Sequence, residues 1–210
     1  ASSDEKSLVR AQAIHMLDTA YSGDTNFVKP FVDAISDPSF TVIKYGIDAL
    51  SKRQPCLAAE LCKPLEEIKD GMMSTYITGA YSACGDAMNL DFMKNACDEA
   101  NGVEAFLINS DFTKYAVNLG TDDAFRVLVK SLTKSAFRND NWYARYSALS
   151  GLATAESYYQ YELSMLAEKE APTSEEAIRI KELKTSLANL KAVMEEIKLL
   201  SDADDLEMGN

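Results

Sequence analysis

Apolar residues recur every three or four positions over most of the chain, and turn-forming residues punctuate them. Leu8, Val9, Ala13, Ile14 and Leu17 predict a helix over 4–20, closed by Ser22-Gly23-Asp24. Phe27, Phe31, Val32 and Ile35 share a stripe over 25–36, with Pro30 in its early turn, and Asp37-Pro38-Ser39 makes the next break. The same pattern predicts helices over 40–52, 56–69, 72–84, 89–99 and 122–137, with Pro64 bending the second of these. Residues 103–119 read as two helical pieces closed by Gly120. A further helix opens at Trp142, and a tyrosine-rich helix follows over 157–169. Beyond Ala171-Pro172, Thr173 and Glu176 carry the spacing of a capping box. Ile180, Leu183, Leu187, Leu190, Met194 and Ile197 then step by threes and fours along a helix from about 174 to 201. That seam predicts a helix covering the last layer of the fold, in preference to a coiled coil with a partner.

The helical hairpin from Phe31 to Leu50 sets a register for the rest. Val9 matches Val42, Ala13 matches Gly46, Ile14 matches Ile47 and Leu17 matches Leu50, each about 33 residues apart. Gly79 falls on the Gly46 position one period later. Ala144-Arg145, Ala148, Leu149 and Leu152 restore the pattern about four periods after the first helix. Small residues at the shared position predict close approach of two helices. The expected fold is all-α: an α-solenoid of antiparallel helix pairs over 4–155, capping helices over 156–201 forming a C-terminal hairpin, and a disordered acidic tail over 202–210.

Composition narrows the function. With 47% hydrophobic residues in 210, the chain has the material for a continuous core. The net charge of −12 repels phosphate backbones, which argues against a nucleic-acid partner and is accounted for by solubility. No apolar run approaches the roughly 20 residues of a membrane span. The chain opens Ala1-Ser2-Ser3 without Met, which is expected of a processed or excised product and leaves cytoplasmic and periplasmic locations equally open.

Chemistry-bearing patterns are sparse. Cys56, Cys62, Cys84 and Cys97 form no C-x-x-C pair, and the last three lie in apolar helical stretches, as small buried thiols do. His15, the one histidine, lies on the polar flank of its helix, so no H-E-x-x-H zinc site is available. No phosphate-binding glycine loop occurs. Gly85-Asp86-Ala87-Met88-Asn89 is superficially similar to the substrate-binding G-x-M-E-N of aminopeptidases, but it lacks the Glu and falls in a turn between helices, so the match is a coincidence. The expectation is therefore no catalytic residue, no metal ligand and no cofactor in this chain. Trp142, Tyr143, Arg145 and Tyr146 are the candidate interaction surface, because Trp, Tyr and Arg are common interface anchors. Inter-helix packing is the competing account of the same residues. Tyr158, Tyr159 and Tyr161 are expected to pack on the C-terminal helix.

Neither the ankyrin nor the tetratricopeptide signature is present. Asp37 with Val42 and Lys44, Val9 with Arg10, and Asp140 with Ala144 and Arg145 resemble the HEAT pattern of a turn aspartate followed by a Val-Arg/Lys pair. Such an aspartate can cap the next helix and pair with a basic residue of a neighbouring repeat. Ala34-Ile35-Ser36-Asp37-Pro38-Ser39-Phe40-Thr41-Val42, Ala80-Tyr81-Ser82-Ala83-Cys84-Gly85-Asp86 and Asn141-Trp142-Tyr143-Ala144-Arg145 resemble runs in the C-terminal HEAT-like region of bacterial M1-family zinc aminopeptidases. The resemblance spans about residues 8–155 and includes none of the family's catalytic residues. It implies a non-catalytic C-terminal domain that packs over its own catalytic domain and restricts peptide access, with zinc only in that other domain. The alternative is a stand-alone HEAT-like scaffold for a partner protein. A third, a helical lyase or cofactor-attachment module, would call for a reactive Cys62 or Cys84.

Overall fold

Caps and glycines cut the helices where the pattern changes. A computed structural model describes residues 2–68, 70–169 and 173–208, with side chains described as far as residue 200. The elements are α1 (Ser7–Ala20), α2 (Lys29–Ile35), α3 (Phe40–Arg53), α4 (Pro55–Cys62), α5 (Gly71–Cys84), α6 (Leu90–Glu99), α7 (Gly102–Leu119), α8 (Asp122–Arg138), α9 (Trp142–Ala167) and α10 (Ser174–Met208). Short 3-10 turns at Lys63–Leu65 and Ala87–Asn89 absorb Pro64 and lead into α6. No strand occurs among the described residues. Asp70 starts α5 by accepting from the Met73 N–H at 2.7 Å, and Thr121 starts α8 by accepting from that of Ala124 at 3.3 Å. Gly120, at φ +59°, closes α7 in a left-handed conformation that any other residue enters only with strain. The capping box at α10 is present: Glu176 N–H donates to Thr173 Oγ1 at 3.2 Å, and Thr173 N–H to Glu176 Oε2 at 2.8 Å.

The odd-numbered helices pack in chain order, α1 on α3, α3 on α5, α5 on α7 and α7 on α9. Like ends meet along this row. Arg53, at the end of α3, donates to the Asp18 and Tyr21 carbonyls at the end of α1, both at 3.0 Å. Asn118, near the end of α7, donates to the Ser82 carbonyl of α5 at 2.6 Å. These neighbours therefore run parallel. The even-numbered helices lie against them: α2 on α3, α4 on α3 and α5, α6 on α7, α8 on α7 and α9, and α10 on α9, with α8 also touching α6 and α10. Cys56 at the start of α4 is joined to Cys84 at the end of α5 by a disulfide, so that pair is antiparallel. The core between the two sets is apolar, with Phe31, Ile47, Leu50, Met73, Ile77, Phe112, Phe125 and Leu128 all but inaccessible. Gly46 is a close approach, since a Cβ there would lie 2.9 Å from that of Ala34.

Ion pairs join neighbouring elements. Arg10 of α1 makes a forked pair with Asp37, through Nε at 2.7 Å and Nη2 at 2.8 Å, while Asp37 also accepts from the Ser39 N–H before α3. Lys44 of α3 reaches Asp70, the cap of α5, at 3.3 Å. The expected pairing of a turn aspartate with a neighbouring basic residue is thus present at Arg10 and Asp37. Arg53 is the most deeply set cation of the row. Its Nη1 lies 2.5 Å from Asp18 Oδ1, and its guanidinium sits 4.5 Å from the centre of the Phe31 ring.

Several expectations change. Residues 103–119 form one helix, and α9 runs unbroken from Trp142 to Ala167, so the boundary at 155/156 falls inside a helix. No glycine or proline lies between Leu152 and Ala167 to stop it. Cys84, expected as a small buried thiol, is disulfide-bonded to Cys56, while Cys62 and Cys97 are free and buried. Gly79 does not mark a close helix contact: the one heavy atom a Cβ there would approach is Asp111 Oδ2, at 3.7 Å. The α10 seam is buried at Leu183, Leu187, Leu190 and Ile197, where α10 lies on α9 and α8. Tyr158 stacks on Phe125 of α8 with ring centres 3.8 Å apart, Tyr159 is buried beside it, and Tyr161 is exposed. The helical backbone of α10 continues to Met208, beyond the expected end near 201. Residues 209–210 of the expected disordered tail lie outside the described residues.

Two outcomes test this packing by chemical denaturation. Cys56→Ser removes a cross-link between residues 28 apart in sequence and is expected to lower stability by about 3 kcal/mol, with reductant having no further effect on the variant. Arg53→Ala leaves Asp18 with Lys52 alone and the Asp18 and Tyr21 carbonyls without their donor, and is expected to lose roughly 1–3 kcal/mol, with Arg53→Lys restoring only a part because it cannot reach both the carboxylate and the two carbonyls.

Candidate functional site

The odd-numbered helices turn their other face outward. On α3 it carries Tyr45, Asp48 and Lys52; on α5, Met72, Tyr76, Gly79 and Ala83; on α7, Leu107, Asp111 and Lys114. Each set steps by three or four residues, so each is one stripe along its helix. The side chains of α5 are short where those of α3 and α7 are long, and a cleft of about 450 Å³ opens above Gly79, Ala80 and Ala83. Met72, Tyr76 and Leu107 give it apolar walls, Asp48 and Lys52 stand on one side, and Asp111 stands on the other. A second depression of about 630 Å³ shares Ala83 and continues past Lys114 and Val117 to Thr154 of α9.

Asp111 is the unusual group. Asp18, Asp37, Asp98 and Asp111 have side chains only 12–16% exposed. Asp18 has Arg53 at 2.5 Å, Asp37 has Arg10 at 2.7 Å and Asp98 has Lys134 at 3.0 Å. For Asp18 and Asp98, burial raises the carboxyl pKa, but the hydrogen-bonded cations outweigh it and hold the group below its ordinary value. For Asp37 the Arg10 hydrogen bond dominates and lowers it. Asp111 has Thr78 Oγ1 donating at 3.2 Å, and its nearest cation is the largely exposed Lys114 at 3.8 Å. Burial wins there, and the pKa is pushed up to about 6. At the edge of the same cleft, Ser51 Oγ has no hydrogen-bond partner.

The four residues singled out in the sequence divide. Trp142, Tyr143 and Tyr146 are exposed at the start of α9. Trp142 and Tyr143 stack with ring centres 3.6 Å apart, and Tyr143 meets Phe106 of α7 edge-on at 6.2 Å. Arg145 is buried instead, with Nε donating to the Ala136 carbonyl of α8 at 3.3 Å and Nη2 lying 3.8 Å from Asp140 Oδ1 as an ion pair. His15 is exposed beside Tyr45, their ring centres 5.4 Å apart. Burial pushes the Cys62 and Cys97 thiols up to about 12, so neither carries appreciable thiolate at neutral pH, and Cys84 is tied to Cys56. Among the described residues no three His, Cys, Asp or Glu side chains cluster closely enough to hold a metal ion, and no helix is long and apolar enough to cross a membrane. Asp111 has no place in the sequence reading, and Gly79 enters it only as a position of helix packing. The sequence offers no signal for Asp111, which lies in the mixed run Asn109-Ser110-Asp111-Phe112-Thr113-Lys114.

An acid whose pKa is higher folded than unfolded favours folding when protonated. Its unfavourable effect is fully present above about pH 6 and fades towards its unfolded value near 4. Thr78 and Gly79 of α5, Lys114 of its own helix, and Asp48 and Lys52 across the cleft are the groups facing it. Asp111→Asn is expected to raise stability by roughly 1–3 kcal/mol at pH 7.5 and to change it little at pH 4, as measured by urea unfolding at the two pH values.

Compared with family models, curated proteins and solved structures, the chain finds no match in any of the three, so the resemblance to the aminopeptidase region rests on the short runs quoted above.

Proposed function

We propose that this chain is a HEAT-like helical-repeat module that holds a segment of a partner polypeptide along the outward face of α3, α5, α7 and α9. The observation that carries the reading is the continuous run of clefts from Asp48 to Thr154, floored by Gly79, Ala80 and Ala83 of α5 and walled by Met72, Tyr76, Leu107 and Val117. A row of parallel helices cross-linked between residues 27 to 38 apart makes such a face wide and continuous, which suits it to an extended ligand. The exposed Trp142, Tyr143 and Tyr146 lengthen the same face along α9 with rings of the kind that anchor interfaces. The test is selection of random peptides displayed on phage against the immobilised chain. Peptides of micromolar affinity are expected, weakened tenfold or more by Ala83→Arg in the cleft floor and unaffected by Glu60→Arg on α4. Failure to select any, or equal binding by both variants, would count against the reading.

A second reading has its own support. Asp37-Pro38-Ser39-Phe40-Thr41-Val42, the run most similar to the bacterial M1 aminopeptidase region, builds the Arg10–Asp37 pair and the start of α3. As the C-terminal domain of such an enzyme, the chain would present the same face to its catalytic domain and to the peptides admitted there. On this reading the chain alone hydrolyses no aminoacyl substrate and binds no stoichiometric zinc, which a fluorogenic assay and metal analysis of purified chain would check. An immunoblot of source cells would then show a polypeptide several times larger than 23.1 kDa, containing an H-E-x-x-H peptide by mass spectrometry.

A further inference from the structure

We propose that the cleft between α3, α5 and α7 receives a lysine or arginine side chain of the bound polypeptide, with Asp111 as its counter-ion. The inference rests on the reading that this face binds a polypeptide, and it names what the deepest part of the face selects.

Three observations converge. The first is the vacancy in charge. Asp18, Asp37 and Asp98, buried as deeply as Asp111, each have an internal cation within 2.5 to 3.0 Å, whereas Asp111 faces the cleft with a hydroxyl on one side and Lys114 at 3.8 Å. A half-buried carboxylate gains strongly from a cation delivered in hydrogen-bond contact, because little water remains to compete. The second is shape. Gly79 leaves open space in front of Asp111 Oδ2, and Met72, Tyr76 and Leu107 line the approach. An alkyl stem packs on such walls while its charged end reaches the carboxylate, and a tyrosine ring favours the cation further. The third is that the cleft's own lysine is committed. Lys52 Nζ lies 2.7 Å from Asp48 and 3.0 Å from Asp18, so it satisfies Asp48 and leaves Asp111 as the acceptor for an incoming charge. One carboxylate opposite an already paired one suits a single positive charge better than a divalent ion, which takes several oxygen ligands. The net charge of −12 draws basic segments towards the molecule from a distance.

The probes are the pentapeptide acetyl-Gly-Gly-Lys-Gly-Gly-amide, its arginine counterpart, and the norleucine counterpart that keeps the stem and loses the charge. Each is titrated into the ¹⁵N-labelled full chain, with the Gly79 and Asp111 amide signals followed by NMR. The lysine and arginine peptides are expected to shift both signals saturably, with the norleucine peptide at least tenfold weaker. Asp111→Asn, which preserves the shape, is expected to weaken the lysine peptide at least tenfold and leave the norleucine peptide unchanged. Gly79→Leu, which fills the cleft, is expected to abolish both. Equal affinity for lysine and norleucine peptides, or indifference to Asp111→Asn, overturns the inference. If phage-selected peptides depend on Ala83 yet need no basic residue and tolerate Asp111→Asn, the cation site falls while the polypeptide-binding face stands. If no peptide is selected but the lysine probe still shifts Gly79 in an Asp111-dependent way, the cation site stands and the extended face falls.

Discussion

Parallel helices place like ends of their dipoles side by side, and this protein answers that repulsion with guanidinium groups at the carboxyl ends. Arg53 of α3 reaches across to the last carbonyls of α1 and to Asp18, while its flat face lies over Phe31. Arg138, at the end of α8, does the same for the Cys97, Asp98 and Ala100 carbonyls ending α6. At the amino ends the sign is reversed: Asp37 and Asp70 stand at helix starts and draw Arg10 and Lys44 from the helix before. Apolar burial supplies most of the driving force, but it has no direction. The charged cross-links choose which residue of one helix lies beside which residue of the next.

That registration gives Asp111 its character. At the step from α5 to α7 the residues opposite it are Thr78 and Gly79 rather than a basic side chain. A hydroxyl can orient a carboxylate but cannot neutralise it. The same step carries the small residues that open the cleft, so charge and space coincide. Stability is given up at the place where a ligand would restore it, a common arrangement at binding sites.

The sequence announced some of this and hid the rest for identifiable reasons. The helix starts at Phe40 and Ser174 were legible because an aspartate with proline, or a threonine with glutamate three residues on, has few other uses. The α10 seam was legible because its spacing survives burial unchanged. The continuity of α9 was not, since a run of tyrosines reads as a new amphipathic face when in fact Tyr158 and Tyr159 turn towards Phe125 of a different helix. Arg145 was read with its aromatic neighbours, although at helical spacing it shares the buried side with Ala148 and Leu152. Cys56 and Cys84 meet only once α4 has folded back on α5, and the sequence holds no measure of that distance. Asp111 is one acidic residue among thirty-three, and only its neighbours in space distinguish it.

The Cys56–Cys84 cross-link has a mechanical meaning. A row of helices in which each touches chiefly the next is compliant: small rotations at every contact add up along its length, and the row can flex as a spring does. Covalent closure between the start of α4 and the end of α5 stiffens one joint of that spring. Bending is thereby displaced to the joints on either side, between α3 and α5 and between α5 and α7, so any change in curvature widens or narrows the cleft first.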